Sequence, residues 1–485
     1  MTDTTSTSNH YTENVQDHLK QVEALLHKHA LLEEVVHKQE LPREDRHTLL
    51  DTLVHKQHLA QLGRKLDGLH PADIAYILEA LPIEQRLLVW DLVKSERDGE
   101  ILIEVSDAVR ESLIATMNRE ELRAAAGQLD TDEIADLAPD LPQNVMRDVF
   151  MSLPIEEREQ LREAMSYPED SVGALMDFNI THVREDVTLE VVSRYLRRFD
   201  ELPDHTDQVF VVDRDDRFKG VLPINLIVVN EPDTVVTDLM LTDTIQLHPD
   251  EKAEHAAQAF ERYDLVSAPV VDEDGKLVGR VTVNVVLDFI REESDSDLLN
   301  QAGLREEEDI FASVWKSVQN RWTWLALNLV TAFIASRVIG IFENSIEKLV
   351  ALAALMPIIA GIGGNSGNQT ITMIVRALAL GQINSSNARK LFIKEIGVSG
   401  LNGLIWGSLV GIFAFLIYHS IPLSLVMTLA MVLNLLVAAS LGVLIPLTLH
   451  RFGRDPAAGS SVMITAITDS GGFFIFLGLA TIFLI

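Results

Sequence analysis

The chain has 485 residues, no cysteine and a formal net charge of −32. Without cysteine, disulfides and thiolate metal sites are excluded, and the absence of an apolar core in the polar residues 1–60 argues against a signal peptide. The charge is uneven: residues 320–485 hold nine Lys/Arg and five Asp/Glu, a net of +4, so residues 1–319 carry −36. Such a half repels nucleic acid and anionic lipid and attracts cations, divalent ones most of all. The plainer reading is that acidity keeps it soluble.

Residues 1–60 read as a helical, His-rich N-terminal extension with a Ser/Thr-rich start. Val36–Gln39 and Val54–Gln57 both read VHKQ, 18 residues or five helical turns apart. His55 and His58 could share a helix face and bind a transition metal; the plainer reading is two solvated positions on an amphipathic helix. Residues 61–170 show a helical repeat. Asp73-Ile74-Ala75 with Leu81-Pro82 returns as Glu133-Ile134-Ala135 with Leu141-Pro142, and Leu81-Pro82-Ile83-Glu84 returns as Leu153-Pro154-Ile155-Glu156. Each Leu-Pro ends one helix, and the following Glu suits the first turn of the next. Fixed-offset helical repeats predict an all-α superhelical domain, an architecture that scaffolds. It carries no catalytic constellation, and the chain is not expected to be an enzyme.

Near residue 178 the pattern changes to short strands. Val209–Asp213 precedes Lys219-Gly220-Val221, and the layout returns as Ala268–Asp272 and Val278–Thr282, with Val-Val-Asp and the glycines both 59 residues apart. Residues 171–293 therefore read as a duplicated α/β module, and the layout resembles a tandem CBS pair. Nucleotide-binding copies follow the last glycine with Ser/Thr and then a ribose-binding Asp. Here those places hold Pro223 and Leu226 in one copy, Thr282 and Val285 in the other, which puts adenosine or ATP binding in doubt. Residues 294–319 read as a connecting helix. It is introduced by the acidic run Arg291–Asp297 and includes Glu306, Glu307, Glu308 and Asp309; it is either a solvated linker or an arm whose acids share cations with the regulatory domain.

Residues 320–485 contain five apolar segments near the length that crosses hydrocarbon: Trp322–Phe342, Leu349–Ile374, Ile396–Tyr418, Leu423–Leu449 and Val462–Ile485. Arg389, Lys390 and Lys394 follow the second, and Arg451 and Arg454 follow the fourth. The positive-inside rule places the N-terminus in the cytosol and Ile485 outside. Gly403, Gly407 and Gly411 lie on one face of the third segment, where they let helices approach closely within the bundle or across a dimer. The second segment contains GIGGNSGNQ, Gly361–Gln369. Polar, broken backbone at this depth is tolerated only when buried in protein or lining a water-filled path, so this stretch is expected to form part of a pore or transport site. Asp469, in the ITDSGGFF of the fifth segment, is an intramembrane carboxylate and the sharpest candidate for a cation site; a salt bridge with Arg337 is the structural alternative. Asn365, Gln369, Asn434 and Thr465 are neutral oxygen donors that could assist. All these donors are hard oxygens, which suits a hydrated Mg²⁺ that keeps several waters.

The residues PIIAGIGGNSGNQTITMIVRALALG, GRDPAAGSSVMITAITDSGG, the helical repeat, the CBS-like pair and the acidic connecting helix together resemble the MgtE family of magnesium channels over nearly the whole chain. The resemblance implies a homodimer of five-helix subunits in the bacterial inner membrane, with a pore along the dimer axis. It implies that cytosolic Mg²⁺, bound among acidic residues of the N-domain, CBS pair and connecting helix, holds the channel closed. The family's pore carboxylate falls on Asp469 and its second-segment asparagine on Asn365. Asp250, Glu251, Glu254, Asp288, Glu293, Asp295 and Asp297 are the sensor candidates by position. Mg²⁺ is then both cargo and regulator; the alternative is a secondary Mg²⁺/Co²⁺ transporter coupled to a counter-ion. The chain departs from the family at Asn284-Val285, where two acids are common, and at Ser366–Gln369, where Ala-Gly-Thr-Gln is usual. An intramembrane metalloprotease would need His-Glu-x-x-His within a span, which the chain lacks.

Overall fold

The computed structural model describes residues 15–28, 57, 59–199, 202–304, 309–379, 382–383, 387–457 and 459–485. His55, His58, the Val36–Gln39 repeat and Glu306–Glu308 lie outside the described residues. The chain forms two compact units. One comprises Met1–Arg291 with Asp309–Ala312, the other Glu292–Glu308 with Ser313–Ile485.

The first unit begins with helices α1 (15–28) and α2 (59–66). It continues through α3 (Pro71–Ala80), α4 (Ile83–Trp90), α5 (Asp98–Glu104), α6 (Asp107–Ile114), α7 (Arg119–Ala126), α8 (Thr131–Leu137), α9 (Gln143–Ser152) and α10 (Ile155–Ala164). One apolar core runs through all of them. Val22 and Leu26, four apart on α1, belong to it, so part of the stretch read as an extension packs into the helical domain. The three Leu-Pro pairs stand at corners between helices. Pro82, Pro142 and Pro154 precede α4, α9 and α10 with φ between −57° and −53°, close to the helical φ that proline imposes.

Arginines complete these corners by donating to the carbonyls left open at the end of the preceding helix. Arg86 donates from Nε to Leu78 O and from Nη2 to Leu81 O. Arg110 repeats the pattern on Leu102 O and Val105 O. The free end of Arg110 meets Asp140 of the same domain. That of Arg86 makes a two-pronged ion pair with Asp309, at 2.6 and 3.0 Å. The Arg86 side chain is fully buried and that of Asp309 nearly so.

The CBS-like half holds β1 (His182–Arg184), α11 (Leu189–Leu196), β2 (Gln208–Val212), β3 (Phe218–Pro223), α12 (Ile224–Val229), α13 (Ala253–Tyr263), β4 (Ser267–Val271) and β5 (Leu277–Thr282). β1 runs parallel to β2, β2 pairs antiparallel with β3, and β4 pairs antiparallel with β5. In the second copy the parallel neighbour is reduced to a bridge between Leu247 and Val270. Both hairpins carry a register shift at the same place, Val211/Val212 and Val270/Val271, 59 residues apart as the repeat requires. The copies face each other: Phe218 N donates to Gly275 O, and Leu277 N to Asp216 O.

The second unit is helical. α14 (Val283–Ala302) is one 20-residue helix that begins directly after β5; its residues up to Arg291 belong to the first unit and those from Glu292 to the second. After it come α15 (Val314–Ile341), α16 (Glu343–Lys348), α17 (Ala351–Ala379), α18 (Ala388–Tyr418), α19 (Ile421–Arg451) and α20 (Ser460–Phe483). Among the described residues, α15, α18, α19 and α20 are long and apolar enough to cross a membrane. α17 has 29 residues, but its Gly/Asn/Ser/Gln stretch dilutes its apolar character. That stretch differs from expectation: the backbone is not broken, and α17 runs unbroken through Pro357 and Gly361–Gln369. Tertiary packing overrides the loop tendency of the sequence.

Gly403, Gly407 and Gly411 pack within the bundle. They face Val432, Met431 and Ser424 on α19, and the α19 hydroxyls of Ser424 and Thr428 donate to Gly411 O at 2.6 Å and Gly407 O at 3.0 Å. At the other end of the unit, Asn300 on α14 donates to Asp455 in the α19–α20 loop at 3.3 Å. Asp455 also accepts from Ala457 N, as a turn residue does.

Candidate ion path and acidic pocket

α17 has two unlike faces. Gly363, Gly364, Gly367, Thr370, Ile371 and Ile374 are buried against α19 and α20. The glycines are small because their neighbours are close: a Cβ on Gly363 would overlap Asn434, and one on Gly367 would overlap Ile464. The opposite stripe, Gly361, Asn365, Gln369 and Thr372, is exposed and polar. These positions recur every three or four residues, so they line one side of the helix.

α20 lies beside α17 and runs antiparallel to it. Gly367 faces Ile464, and a Cβ on Gly364 would lie 3.6 Å from Thr468 Oγ1. Asn365 and Asp469 each stand one residue after that contact on helices of opposite direction, so the two candidates lie one residue to either side of it. Asn365 is exposed and Asp469 half-buried. Arg337 is exposed on α15, and no ion pair joins it to Asp469 among the described residues, so the salt-bridge alternative gains no support. Gln369 and Thr465 are also exposed. Asn434 faces inward instead and is completely buried. Glu395, which the sequence reading passed over, is a buried carboxylate on α18 with Lys394 at 3.5 Å.

The sensor candidates are dispersed. Asp250 lies in the turn before α13, where its charge adds to those that push the Tyr167 hydroxyl up to about 12, behind burial and the bond to Glu163. Glu251 is half-buried, and Glu254 is exposed in the first turn of α13, where the helix dipole favours an acid. Asp288 sits on α14, and burial raises its carboxyl above the usual range. Its charge, after burial, also raises Glu104 of the helical domain. Glu293, Asp295 and Asp297 follow on the same helix, the first two exposed and the last half-buried. Among the described residues, no three His, Cys, Asp or Glu side chains come together as a ready metal centre.

The structure instead gathers acids that sequence reasoning missed. A cavity of about 380 Å³ lies in the first unit, lined among others by Asp130, Asp132, Glu133, Asp177, Thr282 and Asn284. Three of these acids come from the start of α8, where Asp130 and Glu133 form a capping box. The DTDE sequence advertises the cap, but nothing in it shows that a strand end 150 residues later closes over it. Asp177 is held by Arg280, whose Nε and Nη2 reach it at 2.8 and 2.7 Å. Val285, the position of a ribose-binding acid in nucleotide-binding CBS copies, also faces this cavity.

Burial, and then the charge of Asp177, pushes the Asp132 carboxyl up to about 8. An unfolded Asp titrates near 4, so the folded chain retains a proton that the unfolded chain releases between these values. The contribution to stability is complete below about pH 4 and is lost as pH rises through about 8. Asp132→Asn is expected to flatten this dependence and to stabilise the full chain by about 1–3 kcal/mol at pH 8.5, the full shift being discounted for solvent access. Melting temperature against pH checks it; parallel curves for the two proteins would contradict it.

Comparison with known proteins agrees with this architecture. Family profiles match in three places: a divalent cation transporter domain over residues 356–479, an MgtE intracellular N domain over 69–170 and a CBS domain over 236–292. The magnesium transporter MgtE of Thermus thermophilus is 31% identical over 430 residues, covering 86% of this chain and 94% of that protein. The Bacillus subtilis magnesium transporter MgtE is 26% identical, covering 86% and 93%. Among solved structures, the cytosolic domain of the Mg²⁺ channel MgtE in complex with ATP aligns at 30% identity and TM-score 0.45, over 50% of this chain and 98% of that one. With both halves matched in order and at this coverage, the chain belongs to the MgtE family.

Proposed function

We propose that the chain is a multi-pass membrane protein that passes Mg²⁺ down its electrochemical gradient through a path shared by two subunits, and that Mg²⁺ bound among its cytosolic acids closes it. The observation that carries this reading is the exposed polar stripe of α17 beside Asp469. At membrane depth, polar groups and a carboxylate facing outward from one chain require either a partner or a water-filled path. A second copy meeting this face supplies both, and brings two Asp469 carboxylates to one axis. Two carboxylates and the amide oxygens of Asn365 suit a hydrated Mg²⁺, which sheds water reluctantly.

In this reading α17 and all four apolar helices span the membrane, with the acidic unit and the N-terminus in the cytosol and Ile485 outside. Clustered acids repel one another, so Mg²⁺ entering between them favours compact packing of the helical and CBS-like domains. Asp250, Glu251, Glu254, Asp288, Glu293, Asp295 and Asp297 are proposed to share this role. Asp130, Asp132 and Glu133 join them, because they line a cavity at the CBS-like half. The channel and carrier readings draw alike on a broken membrane helix, so the unbroken α17 does not separate them. Leu226 and Val285 stand where ribose-binding acids would, which argues against nucleotide binding in the usual CBS manner.

Purified protein in liposomes containing a Mg²⁺-sensitive dye tests the transport claim. An inward Mg²⁺ gradient with a negative interior is expected to produce non-saturating uptake that tracks the voltage. Saturable uptake that requires a particular counter-ion would favour the carrier.

A further inference from the structure

Gly363 of α17 and Gly472 of α20 meet one and the same side chain. Asn434, midway along α19, has no exposed surface. Its Nδ2 donates to Ile359 O on α17 at 2.9 Å. A Cβ on Gly363 of α17 would overlap its carboxamide, and one on Gly472 of α20 would come within 2.9 Å of Nδ2. Gly363 lies two residues before Asn365, and Gly472 three residues after Asp469. The amide is thus wedged between the two helices that carry the proposed ion-facing residues. Its Oδ1 has no hydrogen-bond partner among the described residues, an unfavourable state for a buried polar atom. An apolar side chain of similar size would fill the socket without that cost. What only the amide adds is a directional bond that fixes the rotation of α17.

We infer that Asn434 is a positioning residue: by bonding Ile359 O while seated on Gly363 and Gly472, it sets the rotation and spacing of α17 and α20, and so the placement of Asn365 relative to Asp469. The inference rests on the proposed ion path and assigns Asn434 to shaping it from behind, not to binding the ion. Outer groups that orient ligands typically change affinity or activity by about 10–100-fold when removed.

The test uses the full chain in liposomes. Asn434→Ala is expected to lower Mg²⁺ flux about tenfold or more and to reduce the preference for Mg²⁺ over Ca²⁺ and Na⁺. Gly472→Ala crowds the same amide and should also lose flux. Asn434→Ala/Gly472→Ala should then regain flux over Gly472→Ala alone, because the new methyl occupies vacated space. Asn434→Gln keeps the chemistry but overfills the socket and should not rescue. If Asn434→Ala fails to assemble, Asn434→Ser, whose hydroxyl is too short to reach Ile359 O, must show the same loss of preference. Unchanged ion preference in the single variant, or strictly additive losses in the double variant, overturns the inference. A readout independent of transport uses spin labels on Met373→Cys and Ile482→Cys, both exposed positions in a chain without native cysteine. The α17–α20 distance should shift or broaden in Asn434→Ala; an unchanged distance overturns the positioning role. If the wild-type chain passes no Mg²⁺, the proposed function fails, and this distance still decides the positioning role.

Discussion

Asp469→Ala is expected to reduce Mg²⁺ flux by about a hundredfold, to the level of empty liposomes, while the protein still assembles. Asp469 is half-buried on α20, and no ion pair with Arg337 forms among the described residues. Among the described residues, alanine there would leave no ion pair unmade. Removing it should leave thermal stability unchanged or raised, since an ionised carboxylate at membrane depth is unfavourable. Asp469→Asn keeps the shape and loses the charge, and is expected to fall between the two. Asp469→Glu keeps the charge but displaces it by one methylene. Flux measured at equal protein-to-lipid ratio checks the series. Near-normal uptake by Asp469→Ala would remove this residue from the path.

Asp309→Ala is expected to destabilise the first unit by about 3–5 kcal/mol. Among the described residues, Asp309 is the only counter-charge at the terminal nitrogens of Arg86, which has no exposed surface. Removing it strands a guanidinium that cannot lose its proton. Arg86→Met should cost less than Asp309→Ala, because the carboxyl it strands can take up a proton whereas a stranded guanidinium cannot lose one. The reverse order of the two melting temperatures would show that the corner hydrogen bonds of Arg86, not the ion pair, dominate. Asp309 also accepts from Phe311 N at 2.9 Å, and Ser313, the cap of α15, follows four residues after it. Loss of the pair is thus expected to free the short segment that leads into the first long helix, which faster amide exchange at Phe311 and Ala312 would report.

Local patterns in the sequence translated directly into structure. The Leu-Pro pairs became helix corners because proline acts on its own backbone. The 59-residue repeat became two hairpins with the same bulge because each copy satisfies its own hydrogen bonds. The four-residue glycine spacing became the α18–α19 contact because small residues on one helical face can do little else. Features built from distant segments were not legible. Nothing near Arg86 announces Asp309, 223 positions away. The acids of α8 read as a helix cap, and only the fold sets them against Asp177 and Thr282. GIGGNSGNQ has the composition of a loop, yet α17 stays helical because its glycines allow α19 and α20 to close on it. A broken polar backbone is expected there; the backbone is instead helical and packed, with Asn365 and Gln369 facing outward.

We propose both an ion path at α17 and α20 and its closure by Mg²⁺ on the acidic unit. Electrical recording of the purified protein in a planar bilayer, with Mg²⁺ on the cytosolic face varied and the opposite side held constant, tests both together. The account predicts frequent openings carrying Mg²⁺ current when that face is chelated, and their progressive loss as Mg²⁺ is raised. Openings that persist unchanged at every cytosolic Mg²⁺ concentration would contradict closure by Mg²⁺, and the absence of any unitary current would contradict the channel itself.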